Sequence, residues 1–127
     1  MSERAPLVLL VEDDPSVMEL ERVLLEDEGY AVITARDGLE GLLKAEFRHP
    51  SLVVLDLMMP VVDGSRMFEE LRTDPRLERT PVLIVTGMAD AHDVFDELVG
   101  PENVIIKPFA LEDLLGRVVA LAGPARP

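Results

Sequence analysis

Cysteine and tryptophan are absent from this 127-residue chain, lysine occurs only at positions 44 and 107, and aromatic side chains make up 4% of it. Without cysteine there is no disulfide framework, no thiolate metal site and no cysteine nucleophile. Basic residues are scarce, with 12 Lys and Arg against 25 Asp and Glu and a net charge of −13. A nucleic-acid surface must neutralise phosphates with Lys and Arg, so this balance excludes direct nucleic-acid contact. No apolar run approaches the roughly 20 residues that span a bilayer, and no charged-then-apolar leader opens the sequence. What is plentiful is apolar: 48% of positions, in regular blocks, at a length suited to one core. These features describe an acidic, soluble domain expected in the cytoplasm.

Five short apolar runs alternate with segments of helical pattern. The runs are 7–11, 30–34, 52–55, 82–85 and 104–106, continuous and rich in Val, Leu and Ile. Such runs suit strands buried on both faces of a parallel sheet. The first intervening segment reads as a helix capped by Asp13 or Asp14, with Pro15 in its first turn and Gly29 closing it. Its apolar face is read as Val17, Leu20 and Leu24, with Glu19, Glu21, Glu26, Asp27 and Glu28 mostly opposite. Further helices are expected from Gly38 to about Arg48, after Gly64, from near Asp90 to before Gly100, and from about Leu111 to Ala122. This repeating order predicts one open, parallel α/β domain with right-handed crossovers over 7–122, flanked by tails at 1–6 and 123–127.

Ligands of such sheets bind beyond the carboxyl ends of the strands. Four predicted strands end there in polar chemistry: Glu12-Asp13-Asp14, Asp56, Thr86 and Lys107. Each alone has an ordinary explanation. Acids cap helices, aspartate starts turns, threonine ends strands and a single lysine snorkels. Together, at one sheet edge, they assemble a site. Three carboxylates, Glu12, Asp13 and Asp56, call for a hard divalent cation such as Mg²⁺, with Mn²⁺ an acceptable substitute. Lys107 adds a fixed positive charge and Thr86 a hydroxyl, around a carboxylate able to act as nucleophile.

These residues carry a resemblance. The motifs Leu9-Leu10-Val11-Glu12-Asp13-Asp14, Asp56 through Gly64, Val85-Thr86-Gly87 and Lys107-Pro108-Phe109, in this order, resemble the receiver domain of two-component response regulators. The resemblance implies a flavodoxin-like doubly wound sheet of order 2-1-3-4-5 with helices on both faces. It implies Asp56 as phosphoacceptor from a histidine kinase or histidine phosphotransfer protein. Asp13 would bind Mg²⁺ directly, Glu12 would support it, and Met58 would offer its backbone carbonyl. Thr86 and Lys107 would contact phosphoryl oxygens, and the bond before Pro108 is commonly cis in the family. The function implied is signalling rather than turnover, through a downstream protein or output domain, as a monomer or a phosphorylation-dependent dimer. No output segment follows the last predicted helix, so both a stand-alone regulator and a receiver of a longer one fit.

Two features depart from the family pattern. An aromatic residue often stands three positions before the lysine, and here it is Val104, so a different readout is expected. Met58 and Met88 lie two positions after Asp56 and Thr86, where they would shield the acyl phosphate and slow its hydrolysis. His49 and His92 are expected to be exposed and without a metal or relay role. A phosphatase of the haloacid dehalogenase type would need a second aspartate at position 58. A flavin or nucleotide binder would need a glycine-rich phosphate loop where Glu12-Asp13-Asp14 stands. A phosphorylation-independent scaffold would have no use for the acceptor and metal acids.

Overall fold

A computed structural model describes residues 5–57 and 64–125. Its strands are β1 (Leu7–Val11), β2 (Ala31–Ala35), β3 (Leu52–Asp56), β4 (Val82–Thr86) and β5 (Val104–Ile106). Between and after them run the helices α1 (Pro15–Asp27), α2 (Gly38–Arg48), α3 (Gly64–Thr73), α4 (Ala91–Val99) and α5 (Leu111–Ala122). The strands form one sheet of order β2-β1-β3-β4-β5, every neighbouring pair parallel. Order reverses beside β1, which is where such folds open a crevice.

Alternation along the strands divides the core in two. Leu9, Val11, Val53, Leu55, Val82, Ile84 and Val104 face one way, against Leu42 and Ala45 of α2, Met67, Phe68 and Leu71 of α3, and Phe95 of α4. Val8, Leu10, Leu52, Val54, Leu83, Val85 and Ile105 face the other, against Leu25 of α1 and Leu114 and Val118 of α5. The result is three layers, with α2, α3 and α4 on one face and α1 and α5 on the other. Leu83 is fully buried at the centre of β4. Leu83→Ala should therefore cost about 2–5 kcal/mol, read as a lower urea midpoint at unchanged slope.

Local chemistry sets the helix ends. Asp14 caps α1 by accepting from Ser16 N–H at 2.9 Å, and Gly29 at φ 106° takes the chain out of it. Asp37 caps α2, accepting from Glu40 N–H at 2.9 Å. A short 3₁₀ turn, Pro101–Asn103, follows α4 where the sequence suggested only a stop. The flanks are tied to the body. Pro6 carbonyl accepts from Ala31 N–H, and Tyr30 hydroxyl donates to Gly123 carbonyl at 2.6 Å.

The expected face of α1 needs correction. Leu20 is 54% exposed, whereas Glu21 is 4% exposed and shares the inward face with Leu25. Polarity misassigned the stripe: positions 18, 21 and 25 follow helical spacing, and an acid occupies the middle one. The acids Glu19 and Glu26 do lie outward, both paired with Arg22.

Candidate functional site

Parity explains which polar residues meet. Glu12 continues β1 in phase with Val8 and Leu10, Asp56 is in phase with Val54, and Lys107 with Ile105. All three thus point to the α1–α5 side at the carboxyl edge. Thr86 is in phase with Val82 and Ile84 and points to the other side.

The Lys107 ammonium donates to Glu12 Oε1 and to Asp56 Oδ2, both at 3.0 Å. Glu12 Oε2 accepts from the Asp13 N–H at 2.9 Å. Glu12 and Asp56 are buried, at 3% and 6% exposure, while Asp13 stands at the surface. One carboxylate oxygen from each of Glu12, Asp13 and Asp56 lies within 4.8 Å of the others. With all three ionised, a single ammonium leaves two negative charges over, the charge of a divalent cation. Hard oxygen donors at this spacing fit such an ion.

Titration properties follow from this crowding. Burial first, and then the adjoining Asp56 carboxylate, push the Glu12 carboxyl up to about 8 against the pull of Lys107. For Lys107 burial acts to lower the ammonium, but its bonds to Asp56 and Glu12 outweigh that and hold it above the ordinary lysine value.

Thr86 is fully buried at the end of β4, one residue past Val85, the register partner of Asp56 in β3. Its hydroxyl accepts from Met88 N–H at 3.1 Å and bonds none of the carboxylates, while its carbonyl accepts from Lys107 N–H at 2.7 Å. The Lys107–Pro108 bond is cis. Met88 packs against the α2–α4 core, and Val104 is buried in that same core. Met58, expected to offer a backbone carbonyl, lies outside the described residues, as do Pro60 and Asp63. His49 and His92 are exposed, and His92 bonds Asp96 at 2.7 Å.

One residue at the site escaped the sequence. Glu21 of α1 lines a narrow pocket together with Glu12 and Asp56, too tight to admit a water molecule. Burial, then opposed by the charge of Lys107 and reinforced by that of Asp56, pushes its carboxyl up to about 7. Its only sequence signal was helical phase with Leu25.

Comparison with known proteins agrees with this geometry. The family described as "Response regulator receiver domain" matches residues 8–119. The DNA-binding dual master transcriptional regulator RpaA of Synechocystis is 40% identical over 119 residues, covering 91% of this chain and 48% of that protein. The response regulator ArlR of Staphylococcus aureus is 35% identical over 115 residues, covering 90% of this chain and 51% of that protein. The Vibrio cholerae chemotaxis protein CheY4 superposes with a TM-score of 0.82 at 30% identity, covering 92% of this chain and 98% of that one. The chain spans about half the length of the two curated relatives.

Proposed function

The chain belongs to the response regulator receiver domain family, a signalling domain of two-component systems, and on that premise we propose that Asp56 is its phosphoacceptor. The observation that carries this reading is the Lys107 ammonium, 3.0 Å from both Asp56 Oδ2 and Glu12 Oε1 at the carboxyl edge of the sheet.

The residues divide the work. An Asp56 carboxylate oxygen attacks the phosphorus of a phosphohistidine on a histidine kinase or phosphotransfer protein. The new O–P bond forms as the P–N bond breaks, and the imidazole leaves with the electron pair. Lys107, paired to Asp56 beforehand, is placed to neutralise the charge delivered with the phosphoryl group. Asp13, Asp56 and Glu12 would hold Mg²⁺, which when bound supplies charge compensation and binds phosphoryl oxygens. Glu12 also fixes Asp13 through its bond to the backbone N–H.

Phosphorylation adds charge and acceptor oxygens at this edge. Thr86, whose hydroxyl now serves Met88 N–H, is the donor able to turn toward them, and the β4–α4 loop then follows. With Val104 buried where family members often carry a rotating aromatic ring, that loop carries the signal to α4. The receiver unit is read as 7–122. It acts in the cytoplasm on a downstream protein or an output domain. The described residues contain no helix long and apolar enough to cross a membrane.

Incubation with a small-molecule phosphodonor and Mg²⁺, followed by intact mass, should add a single phosphoryl group. Chelating the metal should suppress the addition. A chain that stays unmodified with Mg²⁺ present would refute the assignment.

A further inference from the structure

Glu21 is 4% exposed, and its Oε2 atom is buried with no hydrogen-bond partner among the described residues. A buried carboxyl group without a partner is costly, and an apolar residue would fill the inner face of α1 better. The surroundings suggest what it serves. Glu21 lines the narrow pocket that Glu12 and Asp56 also line, and it lines a surface groove between α1 and the segment after β5 that Lys107 also lines. It therefore adjoins both the acids and the lysine on the α1–α5 side of the sheet.

Lysine has three donors on a flexible stem. Two Lys107 donors are engaged, by Glu12 and Asp56. Once Asp56 carries a phosphoryl group and the acids serve a cation, those acceptors are withdrawn. Among the described residues, the acid that shares a groove with Lys107 is Glu21. We infer that Glu21 is a positioning residue for the site's lysine: its unpartnered carboxylate oxygen accepts the third hydrogen bond of the Lys107 ammonium and holds it at the phosphoryl group. This rests on the phosphoacceptor reading above and extends it to a residue of α1.

The test compares Glu21→Leu and Glu21→Gln with the unaltered chain, each as the full-length protein. Phosphorylation rate with a small-molecule donor and Mg²⁺ is measured beside the thermal midpoint. Glu21→Leu should be as stable as the original or more so, yet phosphorylate at least about tenfold more slowly, because small misplacements of a charge-stabilising group are expensive in rate. Glu21→Gln keeps an acceptor oxygen and should recover most of that loss. Only two lysines are present, so the Lys107 ammonium can be followed by nitrogen NMR with Lys44 as internal reference. Its signal should broaden or shift in Glu21→Leu when a phosphoryl mimic is bound.

A Glu21→Leu rate equal to the original would overturn the inference alone. So would a slow rate accompanied by lost stability, or a Gln variant no faster than Leu. If the unaltered chain takes up no phosphoryl group, the phosphoacceptor reading fails and the inference falls with it.

Discussion

Asp56→Asn should abolish phosphoryl uptake while leaving the fold intact. The amide has nearly the same volume, so the end of β3 keeps its packing. It lacks the ionised oxygen that would attack phosphorus, and a neutral amide oxygen is a far weaker nucleophile. The substitution also removes one of the three clustered carboxylates, so divalent-cation affinity should fall. Lys107 would keep its bond to Glu12 and lose an ion-pair partner. The Glu12 carboxyl, raised in part by Asp56, should titrate closer to the ordinary range. Relief of like-charge crowding offsets the lost pair, so the thermal midpoint without metal should change little. Intact mass after reaction with a phosphodonor decides the matter: a phosphoryl group on the Asn variant would place the acceptor elsewhere.

In metal-free buffer, folding stability should decline as pH rises from about 5 to 8. Glu21 is held near 7 in the folded chain against an ordinary value of 4.5. The native state therefore binds this proton more tightly than the unfolded state. The contribution is fully present below about 4.5 and is lost as pH rises through 7. A carboxyl held near 7 rather than 4.5 corresponds to about 3 kcal/mol across that window. The groups facing Glu21 are Glu12 and Asp56 on the sheet and Lys107 after β5. Glu12, raised to about 8, adds in the same direction. Urea midpoints at pH 5, 6, 7 and 8 should fall in order. The Glu21→Leu curve should be flatter and should lie higher at pH 8. Mg²⁺ at pH 8 should restore part of the loss, because an ion bound by the native state alone stabilises it. A midpoint that climbs between pH 5 and 8 would contradict this account.

Much of this architecture was readable because the inner strands β1, β3 and β4 are buried on both faces and so appear as unbroken apolar runs. Leu52–Leu55 and Val82–Val85 needed only one residue each, Asp56 and Thr86, to complete β3 and β4. Those additions are the candidate site residues, since polar chemistry begins where the buried strand ends. The run at 30–34 was placed one residue early. Tyr30 is apolar and buried, yet its backbone N–H bonds Leu25 carbonyl, so it belongs to the turn after α1. The inner face of α1 was misread because a periodicity argument treats glutamate as a surface marker. At Glu21 burial dominates instead and raises the carboxyl to about 7, with the charge of Lys107 offsetting only part of that. Thr86 was legible as a polar residue at the end of the fourth strand, but not its bond to Met88, which depends on the loop's three-dimensional course.

The lysine–glutamate bond joins positions 95 residues apart. That separation has a consequence for how the chain acquires its chemistry. Parallel strands with such distant contacts close slowly, since loop-closure entropy is lost before the pairing is gained. The site needs the ends of β1 and β3 and the residue after β5, so no early portion of the chain contains it. During synthesis the acids of β1 and β3 emerge first and stay without their counter-ion until β5 and the residue after it have been made. The joined cluster of acids and lysine is therefore a signature that β5 has docked onto the sheet.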